Sequence, residues 1–177
     1  MKAITLKQPW AWAVVHGKPI ENRKVGFPTR HRGPLAIHAG KGYDRSARVS
    51  TPALAEVIAR ATRELSPSQH LVASPKGAVL AVVDLVDVHH ADICRTPAGT
   101  YCSPWAEPDV LHLVLRDPRV LLEPVPYRGQ LGLWTLPDDV LIGSESWDAT
   151  VPPGGVVCTL CGMPVESEPC ELHGGQS

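Results

Sequence analysis

The sequence predicts an α+β fold: a mixed β-barrel with helices packed against its outside. Three observations carry that expectation. Six or seven short segments show the apolar alternation or the β-branched content of strands. Most are joined by loops, which excludes a doubly wound parallel sheet, where nearly every crossover is a helix. Only one long helix and one short helix are legible, too few to form a layer of their own.

In chain order, the alternation Ala3-Ile4-Thr5-Leu6 predicts a strand over 2–7. Pro9 suits the first turn of a helix, and 10–16 is a short apolar helix stopped by Gly17. A second strand is expected over 20–25, then a basic loop over 27–33, then a strand over 34–38 that closes at Gly40-Lys41-Gly42. Thr51-Pro52 is a helix start, and Leu54, Ile58, Ala61 and Leu65 fall on one helical face. The run over 78–88 is the strongest strand, too apolar to be an edge. A long loop is expected over 91–108, strands over 111–115, 120–122 and 131–136, and a short helix after Asp138.

Composition limits the function classes. The chain has 177 residues, 44% hydrophobic and 20% charged, an ordinary globular balance that excludes disordered, collagen-like and coiled-coil proteins. No apolar run approaches the roughly 20 residues that span a bilayer, so no membrane role is expected. Lys2 is followed by no apolar stretch of the secretory kind, and the chain reads as cytoplasmic. There, five cysteines suggest metal or free thiols before disulfides.

The net charge of -1 conceals a division. Residues 1–50 carry +8 and the remainder -9. Either the two blocks neutralise each other across the fold, or the first third meets an acidic partner, most commonly nucleic acid.

Within that basic third, Glu21 and Arg23 stand two apart on an expected strand and share a face, while Asn22 points away. Pro19 marks a bend that would bring Lys18 to the same place. A lysine beside a carboxylate and a guanidinium is either a candidate site or an ion-pair ladder on the surface. Trp10 and Trp12 cannot share a helix face, so one belongs to the core and the other is free to stack on a base. Arg30, His31 and Arg32 either grip phosphates or form a solvated loop. His38 and Lys41 end a strand, and His38 is at least equally suited to the core.

The stretches ITLKQPWAWAVV, GKPIENR and RGPLAIHAGK resemble the ASCH domain of the PUA-like superfamily. AVLAVVDLVDVH, SPWAEP and GQLGLW are similar to its later strands. The resemblance covers roughly residues 2–140 and is strongest in the first third. It implies a PUA-like barrel over 1–150 with a cleft between barrel and helices, and Lys18, Glu21 and Arg23 at that cleft. The family pattern G-x-K-x-x-E-x-R is met in its K-x-x-E-x-R part, but Gly17 directly precedes Lys18.

The end of the chain is separate from that resemblance. Cys158, Cys161, Cys170 and His173 form C-x2-C-x8-C-x2-H, two ligand pairs suited to tetrahedral zinc. A tail over 151–177 with little apolar content would take its folding energy from the metal. Four ligands leave no open position, so the expected Zn2+ is structural. A redox C-x-x-C pair and unstructured thiols are the alternatives. No H-x-E precedes the C-x-x-C, so base deamination is not expected. Cys94 and Cys102 sit in a loop and could join a second site, but nothing pairs them with ligands at metal spacing.

Two functions follow. The first is binding of RNA, or of a nucleotide, nucleoside or base, through Trp10, Lys18, Glu21, Arg23, Arg32, His38 and Lys41. The second is a small hydrolase acting on RNA or on an acylated nucleoside, with Lys18 as base and Glu21 as its partner. The resemblance extends to amidohydrolases with a threonine three residues after the lysine, where this chain has Glu21.

Overall fold

Alternation along the first strand sets up the whole fold. On β1 (Lys2–Gln8), Ala3 is buried on one face and Ile4 and Leu6 on the other. A strand with apolar side chains on both faces must sit inside a sheet that is covered on both sides. The computed structural model describes residues 1–27, 29–44, 47 and 75–141. The helix expected from Thr51 and the tail bearing Cys158, Cys161, Cys170 and His173 lie outside the described residues.

After β1 come α1 (Trp10–Val15), β2 (Ile20–Arg23), β3 (Gly33–Tyr43), β4 (Ala78–His90) and α2 (Ala91–Cys94). Then follow β5 (Leu111–Pro126), β6 (Leu133–Thr135) and a 3-10 turn over Asp138–Leu141. The six strands pair in the order β2-β5-β4-β3-β1-β6, with β1 parallel to β3 and every other pair antiparallel.

That order is linear, which corrects the expected barrel: among the described residues β2 and β6 are outer strands and the sheet does not close. The reason lies in α1. It leaves β1, crosses the sheet face in contact with β3, β4 and β5, and delivers the chain to β2 at the far edge. β2 then pairs with β5 and β6 with β1, and among the described residues no ladder joins the two outer strands.

Each face has its own core. Ile4, Leu6, Leu35, Ile37, Leu85, Leu113 and Leu115 pack under α1 with Ala11 and Val14. Ala3, Ala36, Val79, Val82, Leu121, Trp134, Leu136 and Leu141 fill the other face. β4 serves both cores by alternation, Val82 facing one and Val83 and Leu85 the other, and an irregular register after Val79 places Val79 and Val82, three apart, in the same core. The expected strands over 111–115 and 120–122 are one strand for the same reason. Asp117 (φ +49) and Pro118 lie in a bulge between the pairs Asp84↔Arg116 and Val82↔Arg119, where the ladder requires no proline N–H.

His38 belongs to the second core. It is 2% exposed, donates from Nε2 to the Tyr127 carbonyl at 2.9 Å, and meets Trp134 edge-on. The backbone at Gly129 presses on it so closely that a Cβ there would fall 2.4 Å from the His38 ring and 2.7 Å from Thr5 Oγ1. Gly129→Ala is therefore expected to cost about 1–3 kcal/mol through overpacking, read as a lower urea midpoint at unchanged slope.

Candidate functional site

The site begins with the way α1 ends. Gly17 takes φ +97, the left-handed conformation that glycine adopts without strain. Its N–H bonds the Val14 carbonyl at 3.2 Å and the Lys18 N–H bonds that of Ala13 at 2.9 Å, the paired reversal of a Schellman motif. A glycine immediately before Lys18 is thus what turns the lysine back beneath the helix. Pro19 then passes the chain to β2, its carbonyl accepting from Leu115 N at 2.7 Å.

On β2 the alternation acts as expected. Glu21 Oε2 accepts from Lys18 Nζ at 2.7 Å, and its Oε1 lies 3.2 Å from Arg23 Nη2. The Lys18 and Glu21 side chains are only 3% and 9% exposed, so this is a buried ion pair with a second cation attached. Arg23 carries buried Nε and Nη2 positions with no hydrogen-bond acceptor among the described residues. Asn22 faces the other way and binds a loop: Nδ2 donates to the Trp105 carbonyl at 2.8 Å, and Oδ1 accepts from Glu107 N at 3.3 Å.

These elements enclose an open cleft of about 890 Å³. Its lining includes Trp10, Lys18, Glu21 and Arg23, Lys7, Lys41 and Asp44 at the ends of β1 and β3, and Pro104, Trp105 and Glu107 of the loop that Asn22 binds. Trp10 is held in place by Nε1 donating to Asp44 Oδ2 at 2.9 Å, and Lys18 Nζ sits 5.3 Å from its ring centroid. Trp12, on the other side of α1, is buried with Ala13, Ile20 and Trp105. Four cationic side chains, Lys7, Lys18, Arg23 and Lys41, share the cleft with three carboxylates, those of Glu21, Asp44 and Glu107.

Not every anticipated residue is there. Arg32 is outside the cleft, half-exposed and 3.7 Å from Asp87, with its guanidinium on the His31 carbonyl. His38 is in the core described above. Arg30 and His31 do not line the cleft either, and His31 Nε2 is bound to the Pro34 carbonyl at 2.9 Å. Of the seven residues anticipated for binding, Trp10, Lys18, Glu21, Arg23 and Lys41 come together.

Sequence reasoning allowed Cys94 and Cys102 a second site but missed the histidines that complete it, His89 and His112. His89, Cys94, Cys102 and His112 each point one ligand atom inward, all within 4.8 Å of one another, an arrangement that could hold a metal ion. Cys94 Sγ and Cys102 Sγ lie 3.3 and 3.5 Å from His112 Nδ1, and Cys102 Sγ lies 3.5 Å from His89 Nε2. Burial holds the His112 imidazole below its ordinary range. Burial, with the Cys94 thiol beside it, pushes Cys102 up to about 12. The signal was a cross-strand one, since His89 and His112 face each other directly across β4 and β5.

No family model matches the sequence, and no curated protein matches it. Among solved structures, the ASCH protein of Zymomonas mobilis aligns with TM-score 0.47 at 14% identity, covering 80% of this chain and 90% of that one. A point mutant of the same protein aligns with TM-score 0.45 at 14% identity, covering 80% and 93%. Over that span, the chain is similar to the ASCH domain.

Proposed function

We propose that the cleft binds single-stranded RNA or a nucleotide. The observation that carries this reading is the convergence of Trp10, Lys18, Arg23 and Lys41 on one open recess, around a carboxylate that is already neutralised. A fixed indole offers a face for a base, and Lys7, Lys41 and Arg23 supply cations for phosphates. Glu21 orients its two cations: Oε2 accepts from Lys18 Nζ, and Oε1 lies beside Arg23 as a charge partner.

The same pairing disfavours hydrolysis with Lys18 as base. An ion-paired ammonium donates hydrogen bonds and has no lone pair with which to take a proton. The proposal extends to the chain's organisation: residues 1–150 form the binding domain, and 151–177 a zinc knuckle held by Cys158, Cys161, Cys170 and His173. Support for the knuckle is the ligand spacing alone.

Titration of the full chain with labelled single-stranded RNA across a salt series tests the reading. Affinity should fall as salt rises, with a log–log slope of about -0.7 per phosphate contact, and Lys41→Ala should make it shallower by about that amount. Absence of binding at low salt would overturn the proposal. So would hydrolysis of RNA or acylated cytidine that vanishes in Lys18→Ala.

A further inference from the structure

We infer that His89, Cys94, Cys102 and His112 form a structural zinc site that clamps the β4–β5 connection, whose residues 104–108 line the cleft. It is independent of the C-terminal tail and of what the cleft binds.

Geometry is the first argument. Tetrahedral zinc, with Zn–S of about 2.3 Å and Zn–N of about 2.0 Å, separates a sulfur ligand from a nitrogen ligand by about 3.5 Å. Three of the four sulfur–nitrogen separations here are 3.3, 3.5 and 3.5 Å, and all four ligand atoms lie within 4.8 Å of one another. Hydrogen bonding alone accounts poorly for them. His112 Nδ1 has one in-plane lone pair, yet two sulfurs crowd it. A cation at the centre would satisfy both thiolates and both imidazoles at once.

The outer contacts are the second argument. His112 Nε2 lies 2.8 Å from the Glu107 carbonyl, which can only accept, so the proton is on Nε2 and the Nδ1 lone pair faces the sulfurs. His89 Nδ1 lies 2.7 Å from Asp87 Oδ2, which places the Nε2 lone pair toward Cys102. Each histidine is thus oriented by a carbonyl or carboxylate on its other nitrogen, the arrangement typical of metal-binding imidazoles. Two ligand pairs complete a four-coordinate shell with no place for substrate, which makes the site structural.

The placement gives it a task. His89 and His112 are cross-strand partners, Cys94 ends α2, and Cys102 lies in the loop between. A metal joining them would cross-link both strands to the segment that leads directly into Pro104, Trp105 and Glu107 of the cleft wall.

The test uses the full chain with Cys158, Cys161 and Cys170 changed to Ser, which removes the tail's thiolates. Metal analysis should give one zinc per chain, and cobalt substitution should give thiolate charge transfer with tetrahedral d–d bands. Adding Cys102→Ser, or Cys94→Ser with Cys102→Ser, should reduce zinc from one equivalent to none. Chelation should increase hydrogen exchange over 95–110. A folded tail variant without zinc, or one lighter by two hydrogens through a Cys94–Cys102 disulfide, overturns the site. Zinc bound with unchanged exchange over 95–110 overturns the clamp.

Discussion

Glu21→Ala is expected to lower the stability of the fold by about 3–5 kcal/mol, the loss typical of removing one partner from a buried ion pair. Lys18 has almost no exposed surface, and its ammonium depends on the carboxylate 2.7 Å away. With Glu21 gone, that charge and the neighbouring Arg23 would face each other with no anion between them. A loss of this size is a large part of a domain's whole stability, so the variant is followed at low temperature by its urea midpoint. Lys18→Met with Glu21→Leu removes both charges and fills similar volume, and should recover most of the loss. If Glu21→Ala costs less than about 1 kcal/mol, the pair behaves as a surface ladder and not as the buried ion pair described.

How much of this was legible in the sequence depended on the range of each signal. The turn at Gly17, the bend at Pro19 and the shared face of Glu21 and Arg23 are local, and residues two or three apart suffice to place them. Strand ends were harder. β3 runs on through Gly40-Lys41-Gly42 to Tyr43, because pairing with β1 continues past the glycines that looked like a stop. β5 crosses Pro118 because a bulge relieves the ladder at that point. His38 was open to either reading, at a strand end near glycines or in the core, and the approach of Gly129 from more than ninety residues away decides for packing. The barrel depended on whether the two outer strands meet, which no local pattern encodes. The His89/Cys94/Cys102/His112 cluster needed the register of β4 against β5, so its spacing in the chain carried no recognisable metal motif.

The second large effect is expected at Trp12, and its contrast with Trp10 separates stability from recognition. Trp12→Ala should cost about 3–5 kcal/mol, the usual range for deleting a buried tryptophan. Its ring stacks on His16 at 4.1 Å and packs with Ile20 and Trp105, so the cavity would open directly beneath β2 and the loop wall. Trp10, two residues away, is only partly buried and gives up its bond to Asp44 and its contact with Lys18. Trp10 also packs against the margins of two core clusters, but as a partly buried ring it should cost less than Trp12, and Trp10→Ala should remain folded at room temperature. Its RNA affinity should nonetheless fall by about 1–3 kcal/mol if one base stacks there, about 5- to 150-fold. Thermal unfolding and RNA titration of both variants check the pair together. Wild-type affinity in folded Trp10→Ala would remove stacking from the reading while leaving the cations of the cleft as its basis. Equal stability losses in the two variants would mean that α1 does not present one tryptophan to the core and the other to the cleft.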